Sequence, residues 1–163
     1  MAALRPANPM KQGLMLLLFL AVCFGTALVG TLWTNASLGD WYEGLAKPTW
    51  NPPNWIFGPV WSVLYCMIAC AGWLVWRTGR DNATVWVFYG AQLLLNAAWS
   101  GIFFRWRNPG GAFLEILVLL ATIVATTVAF WRRSRWAGGL FVPYLAWCTF
   151  AAVLNFTVWR LNV

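Results

Sequence analysis

There is no histidine anywhere in this chain, and only four acidic side chains among its 163 residues. Without an imidazole, Ser-His-Asp and Cys-His catalysis, His-ligated haem and most zinc sites are excluded. Charge of either sign is scarce: charged residues make up 9% of the chain, against about 25% in a soluble domain. A water-facing surface needs roughly that share to stay dispersed, so a soluble globule is excluded. Disorder is excluded by the opposite excess. Disordered chains are poor in apolar and aromatic residues, whereas here 61% of residues are hydrophobic and 18% aromatic. Cysteine is sparse as well. Cys23, Cys66, Cys70 and Cys148 all fall in apolar stretches without other soft ligands nearby, so they read as small packing residues rather than metal or redox sites. The net charge of +7 does not point to nucleic acid. The cations stand singly or in small groups between apolar runs, the pattern of loops at a membrane surface.

What is present is a set of five apolar runs, at about residues 14–33, 55–76, 84–104, 112–131 and 139–159. Each is about 20 residues, enough to cross a hydrocarbon core of about 30 Å as a helix rising 1.5 Å per residue. The first run follows Arg5 and Lys11 like a signal peptide but is too long for one, so it reads as a retained span. Lipid offers the backbone no partners, which leaves helices or closed barrels, and the alternation of a barrel strand is absent. The fold class expected is an all-α integral membrane protein, a single domain with a five-transmembrane-helix bundle. Short links at 77–83, 105–111 and 132–138 make successive helices antiparallel; the 34–54 loop is the long exception. Lys and Arg number seven on the N-terminal side (Arg5, Lys11, Arg77, Arg80, Arg132, Arg133, Arg135) and four on the other (Lys47, Arg105, Arg107, Arg160). The positive-inside rule then puts the N-terminus in the cytoplasm and the long loop outside. Small residues recur at i, i+4, as in Ala21/Gly25, Thr26/Gly30 and Ala97/Gly101. Such spacing serves packing inside the bundle or, at the third span, a homodimer. Pro59 and Pro143 are placed near helix starts, where a missing N–H costs least.

Counting inward from the long-loop side, Trp61 and Trp99 lie about 8–9 Å deep, and Asn96 is a turn deeper than Trp99. Glu115 is three residues into the fourth run, Trp147 is near the middle of the fifth, and Asn155 is two turns farther out. Polar side chains facing lipid are expensive, so this convergence predicts a pocket in the outer half of the bundle. The alternatives are interhelical hydrogen bonding by Asn96 and Asn155, and a Glu115 that reaches back to the surface. Eight of the fourteen tryptophans (Trp33, Trp55, Trp76, Trp86, Trp106, Trp131, Trp136, Trp159) sit at run ends, with Trp73 close by, as expected for an interfacial aromatic belt. Trp41, Trp50, Trp61, Trp99 and Trp147 need another explanation. In the loop, Asp40 is placed to cap a short helix carrying Trp41 and Leu45 on one face. Pro48, Pro52 and Pro53 then enforce extended backbone. The segment reads as a lid or as an interfacial anchor.

The loop sequence Trp41-Tyr42-Glu43-Gly44-Leu45-Ala46-Lys47-Pro48-Thr49-Trp50-Asn51-Pro52-Pro53 resembles the signature of the translocator protein family, also called tryptophan-rich sensory protein, TspO or the peripheral benzodiazepine receptor family. The resemblance continues through Trp61-Ser62-Val63-Leu64-Tyr65, Gln92-Leu93-Leu94-Leu95-Asn96 and Val142-Pro143-Tyr144-Leu145-Ala146-Trp147, and covers roughly residues 14–160. It implies a five-helix bundle, often a homodimer, in a bacterial envelope or a mitochondrial outer membrane, the former being expected here. It also implies a cavity under the first loop for porphyrins, haem or other hydrophobic ligands. By that resemblance the cavity positions are Tyr42, Pro52, Trp61, Tyr65, Asn96, Trp147 and Ala151. The depth argument adds Trp99 and Glu115, and Trp50 joins them as a loop indole at the mouth. The family's cholesterol motif has a tyrosine where Phe156 stands, so strict sterol recognition is not expected. No cofactor is required; porphyrin or haem would be a ligand, and membrane lipid the surroundings. Three functions follow: a receptor or carrier for porphyrin-type tetrapyrroles, a light- and oxygen-dependent porphyrin-degrading enzyme using cavity tryptophans, or a scaffold for another membrane protein.

Overall fold

Four asparagine and serine side chains decide where the long helices begin. Asn8, Asn82, Asn108 and Ser134 accept hydrogen bonds from the backbone N–H groups of Met10, Val85, Gly111 and Ala137, at 2.9–3.3 Å. Each satisfies a donor that the first helical turn leaves unpaired. A computed structural model describes residues 8–35, 37, 39–79 and 82–163; Arg5 and Arg80 of the charge count lie outside the described residues. The helices are α1 (Pro9–Asn35), α2 (Asp40–Gly44), α3 (Asn54–Thr78), α4 (Ala83–Ser100), α5 (Pro109–Trp131) and α6 (Arg135–Leu161). A π-helical turn, Gly101–Arg105, prolongs α4. All are helical, with no strand among the described residues, and five are long and apolar enough to cross a membrane. The helices run past the apolar runs at most ends because the caps, not the last apolar residue, set their limits. Two local expectations are corrected by this. The helix carrying Pro143 starts at Arg135, so that proline sits inside the helix, as does Pro59. The N-cap of α2 is Gly39, so Asp40 is the first residue of the helix and not its cap.

The five spans close into a ring in the order α1, α3, α6, α5, α4, with α1 packed against α4. Although α3 and α4 are joined by a short link, α1 wedges between them. Gly79, at φ 63°, ends α3 in the left-handed conformation that glycine adopts without a Cβ clash. At the inner end Phe19 of α1 fits into a notch at Gly72, where a Cβ would lie 2.9 Å from its ring. Around it Tyr89 stacks on Phe130 at 5.6 Å, Phe130 meets Phe141 at 5.2 Å, and Trp86 meets Tyr89 edge-on at 5.9 Å. Ring pairs of this kind are worth about 0.5–1.5 kcal/mol each beyond burial. The inner half is therefore a packed aromatic core.

The tryptophan belt is narrower than run-end position suggests. Trp55, Trp106, Trp131 and Trp136 are exposed. Trp76 is buried, Trp86 belongs to the inner core, and Trp159 covers Gly110. Trp33 lies on Gly101, where a Cβ would stand 3.0 Å from its ring. Gly101, half of the Ala97/Gly101 pair, thus serves packing within the chain.

Candidate ligand cavity

In the outer half the rings also meet one another, but they border a void. The cavity holds about 310 Å³ and is bounded by α1, α3, α4 with its π turn, α5, α6 and Tyr42 of the loop. Seven of the ten residues expected at the site line it: Tyr42, Trp61, Tyr65, Asn96, Trp99, Trp147 and Ala151. Three do not. Trp50 is exposed and meets Phe150 edge-on at 5.9 Å, outside the lining. Pro52 stays in the loop wall, its carbonyl accepting from Asn51 Nδ2 at 3.1 Å. Glu115 is one helical position, about 100° of turn, from Ile116, which does line the cavity. Both Glu115 carboxyl oxygens are shielded from the surface and without a hydrogen-bond partner, so this side chain neither lines the cavity nor reaches outward.

The polar residues of the wall are tied together by hydrogen bonds. Tyr65 Oη donates to Asn96 Oδ1 at 2.5 Å, and Asn96 Nδ2 donates to Tyr144 Oη at 3.0 Å. Trp99 Nε1 donates to Asn155 Oδ1 at 3.0 Å, while Asn155 Nδ2 donates to the Pro109 carbonyl at 2.8 Å. Interhelical hydrogen bonding by both asparagines is therefore real, and it fixes the wall rather than replacing the cavity. It leaves some capacity over: the Tyr65 oxygen retains acceptor lone pairs, and Asn96 Nδ2 has a second hydrogen. Apart from Asn54, the remainder of the described lining is apolar, aromatic or small.

Sequence reasoning missed Phe57, Phe103 and Phe104, and with them the π turn. In that turn the Trp106 N–H reaches the Gly101 carbonyl five residues back at 2.9 Å. The extra residue per turn brings the consecutive Phe103 and Phe104 both to the cavity. Phe103 stacks on Trp99 at 5.1 Å, and Phe104 packs against Tyr42 at 5.5 Å. The chain leaves the turn through Arg107, which is left-handed at φ 52°, and Asn108 then caps α5. No local pattern separates this turn from ordinary helix; Gly101 is its sole hint.

The loop lies over the mouth. Trp41 and Tyr42 of α2 rest edge-on against Phe103 at 5.7 and 6.4 Å. Asn162, at the end of α6, receives the Ala46 N–H on Oδ1 and donates Nδ2 to the Ala46 carbonyl, both at 2.9 Å. That reciprocal pair clamps the loop to α6. Lys47 folds back into its own loop, donating to the Glu43 and Leu45 carbonyls with its ammonium 4.6 Å above the Tyr42 ring. Burial pushes the Tyr42 phenol up from its ordinary value, and the Asn51 side chain offsets part of that. Arg105, Arg107 and Arg160 are exposed at the outer ends of their helices. Phe156, in the place of the sterol-motif tyrosine, is exposed and packs on Phe113 at 5.1 Å.

Known proteins carry the same sequence plan. The TspO/MBR family model matches residues 18–160. The tryptophan-rich protein TspO of Chlorobaculum tepidum is 40% identical over 156 residues, covering 93% of this chain and 98% of that one. The human translocator protein is 41% identical over 138 residues, 82% of each chain. The tryptophan-rich sensory protein of Cereibacter sphaeroides is 39% identical over 146 residues, 90% of each. With five membrane-crossing helices and a match over most of its length, this chain belongs to the TspO/MBR family of multi-pass integral membrane proteins.

Proposed function

We propose that the outer cavity is a receptor site for a flat, mostly apolar tetrapyrrole of porphyrin type, haem included, and that the protein carries such ligands or signals their level. The observation that carries this reading is the cavity wall, where Trp61, Trp99, Phe103, Phe104 and Trp147 surround a floor of hydrogen-bonded Tyr65 and Asn96. Indole and phenyl faces suit a macrocycle face, and a few convergent polar groups suit its orientation. At about 310 Å³ the cavity is at the small end of the ~300–1,000 Å³ range of ligand sites. A macrocycle would fill it and extend toward the opening, where its acid groups would meet Arg105, Arg107 or Arg160. With no histidine in the chain, the ring is held by its faces and edges, with or without a metal. Within the same reading the protein sits in a bacterial envelope with its N-terminus inside, as positive-inside weighting of all eleven cations favours; reporter fusions at the two ends would give opposite signals.

Titration of purified protein with protoporphyrin IX, followed by tryptophan quenching, tests the site. Trp61→Ala and Trp147→Ala should each weaken binding about tenfold, the equivalent of about 1.4 kcal/mol. Trp50→Ala, which alters a ring outside the lining, should not. Equal affinity in all three variants removes this cavity as the site. Steady loss of porphyrin under light and oxygen would turn the receptor into an enzyme.

A further inference from the structure

We propose that the cavity is loaded sideways, from the outer leaflet of the bilayer, through a portal between α1 and α3 framed by Thr31, Asn54 and Gly58. This rests on the reading of the cavity as a ligand site. Among the described lining residues, only these three are exposed, and all three lie on the two helices that flank one seam. The remainder of the lining is buried or half-buried, and Tyr42, under the loop, is buried.

The seam is open for a reason that can be followed along α1. In the inner half α1 is fastened to α3: Trp73 Nε1 donates to the Gln12 carbonyl at 3.1 Å, and Phe19 fills the notch at Gly72. At mid-depth Phe24 meets the Tyr65 ring at 6.3 Å, forming a sill. Above that sill the close approaches of α1 are to α4. A Cβ at Gly30 would lie 3.3 Å from Ser100 Oγ, and Trp33 covers Gly101. Leaning on α4, the outer third of α1 presents Ala27, Thr31 and Thr34 to the cavity. Opposite, α3 presents Asn54 and Gly58, and a Cβ built at Gly58 meets nothing within 4 Å. Several other glycines also face open space, but Gly58 alone among them lines the cavity.

Position decides what passes. Thr31 and Gly58 are each four residues from the outer end of their helix, about 6 Å. Because α1 has 27 residues and spans about 40 Å against a hydrocarbon core of about 30 Å, the portal opens near the level where acyl chains meet headgroups. The species suited to it is an amphiphile already dissolved in lipid, its flat apolar body among the chains and its acid end at headgroup depth. The three framing residues bring amide, hydroxyl and bare backbone but no charge, so an acid end meets no like charge in passing.

The test is kinetic. Protein in phosphatidylcholine vesicles is mixed with protoporphyrin IX, and quenching is followed by stopped flow. Gly58→Leu and, as an independent variant on the facing helix, Thr31→Trp should slow association and dissociation together by about tenfold or more, while Kd changes far less than either rate. At fixed total porphyrin, the rate should follow the amount of porphyrin per lipid and not its free concentration in water. Asn162→Ala, which loosens the loop, should leave the loading rate as it was. Binding with unaltered rates in both portal variants overturns the portal. So does a lost affinity carried by faster dissociation with association unaltered, which would make these residues part of the ligand bed, and so does faster loading in Asn162→Ala. Absence of binding in the unmodified protein overturns the tetrapyrrole reading itself, a different result from any of these.

Discussion

In the inner half of the bundle Tyr89 lies stacked on Phe130, with Trp86, Phe141 and Phe19 closing every side. In the outer half Trp99 lies stacked on Phe103 in much the same way, and the cavity lies beside them. The residue types are alike; the backbone beneath them is not. Inner rings are seated on glycine notches that let helices close up, as Phe19 is at Gly72. Outer rings stand on α3, on α4 with its π turn, and on α6, and the α1 wall facing them carries Ala27, Gly30, Thr31 and Thr34, too small to fill the space between. Aromatic content alone therefore does not make a ligand site in a membrane bundle. What matters is whether the facing wall carries side chains large enough to fill the space beside the rings.

The largest test of that contrast is one chemical change made in each half. Phe130 is fully buried, so Phe130→Ala should cost about 3–5 kcal/mol, as large-to-small changes of buried aromatics do. Phe104 borders the void and has fewer atoms to lose contact with, so Phe104→Ala should cost less than about half as much. Unfolding of the two variants in detergent would decide it, and equal losses would erase the distinction between the halves.

Polar side chains offer a second, smaller contrast. Asn96 joins Tyr65 and Tyr144, and Asn96→Leu removes both bonds; intramembrane hydrogen bonds are worth about 0.6–2 kcal/mol each, and a loss in that range is expected. Gln92, one turn inward, is fully buried with its amide hydrogen on the Tyr89 carbonyl and its oxygen without a partner. A half-satisfied amide gains little from burial, so Gln92→Leu should be neutral or stabilising. The same unfolding assay separates them, and a destabilised Gln92→Leu would show that the inner half also holds a polar element.

Much of this could be read from the chain. Run length located the five spans, and counting residues inward brought Trp61, Trp99, Asn96 and Trp147 to one end. What escaped the sequence depends on contacts between distant residues. The clamp from Asn162 to Ala46 joins positions 116 apart, and the lean of α1 follows from Trp33 meeting Gly101. Glu115 was misplaced by a single helical step, because depth along a helix carries no information about its face. Trp50 was misplaced because three prolines fix the direction of the loop backbone without revealing which side its rings take.

The lid belongs to neither half, and its attachments set the two smallest effects. Two hydrogen bonds at the water edge hold Ala46 to Asn162, each worth about 0.5–1.5 kcal/mol net. Asn162→Ala should raise the hydrogen-exchange rate of the Ala46 amide while the unfolding midpoint of the bundle hardly moves. If the midpoint falls as far as in Asn96→Leu, the lid is part of the core.

Tyr42 gives the pH-dependent counterpart. Its phenol is raised above the ordinary tyrosine value because burial under Phe103 and Phe104 disfavours the phenolate. The docked loop therefore binds the proton more tightly than the undocked one. Docking stability from this group is fully present below about pH 10, the ordinary tyrosine value, and falls as pH rises from there through the raised value. Lys47 rests its ammonium over the same ring, 4.6 Å from the centroid. Loop mobility from a spin label at Leu45 should rise as the solution is made alkaline, in step with tyrosinate absorbance. In Tyr42→Phe the phenol cannot ionise, and the rise should disappear. An unchanged alkaline response in that variant would take the switch off this ring, and the loop would then be held from the water side rather than by the ring buried beneath it.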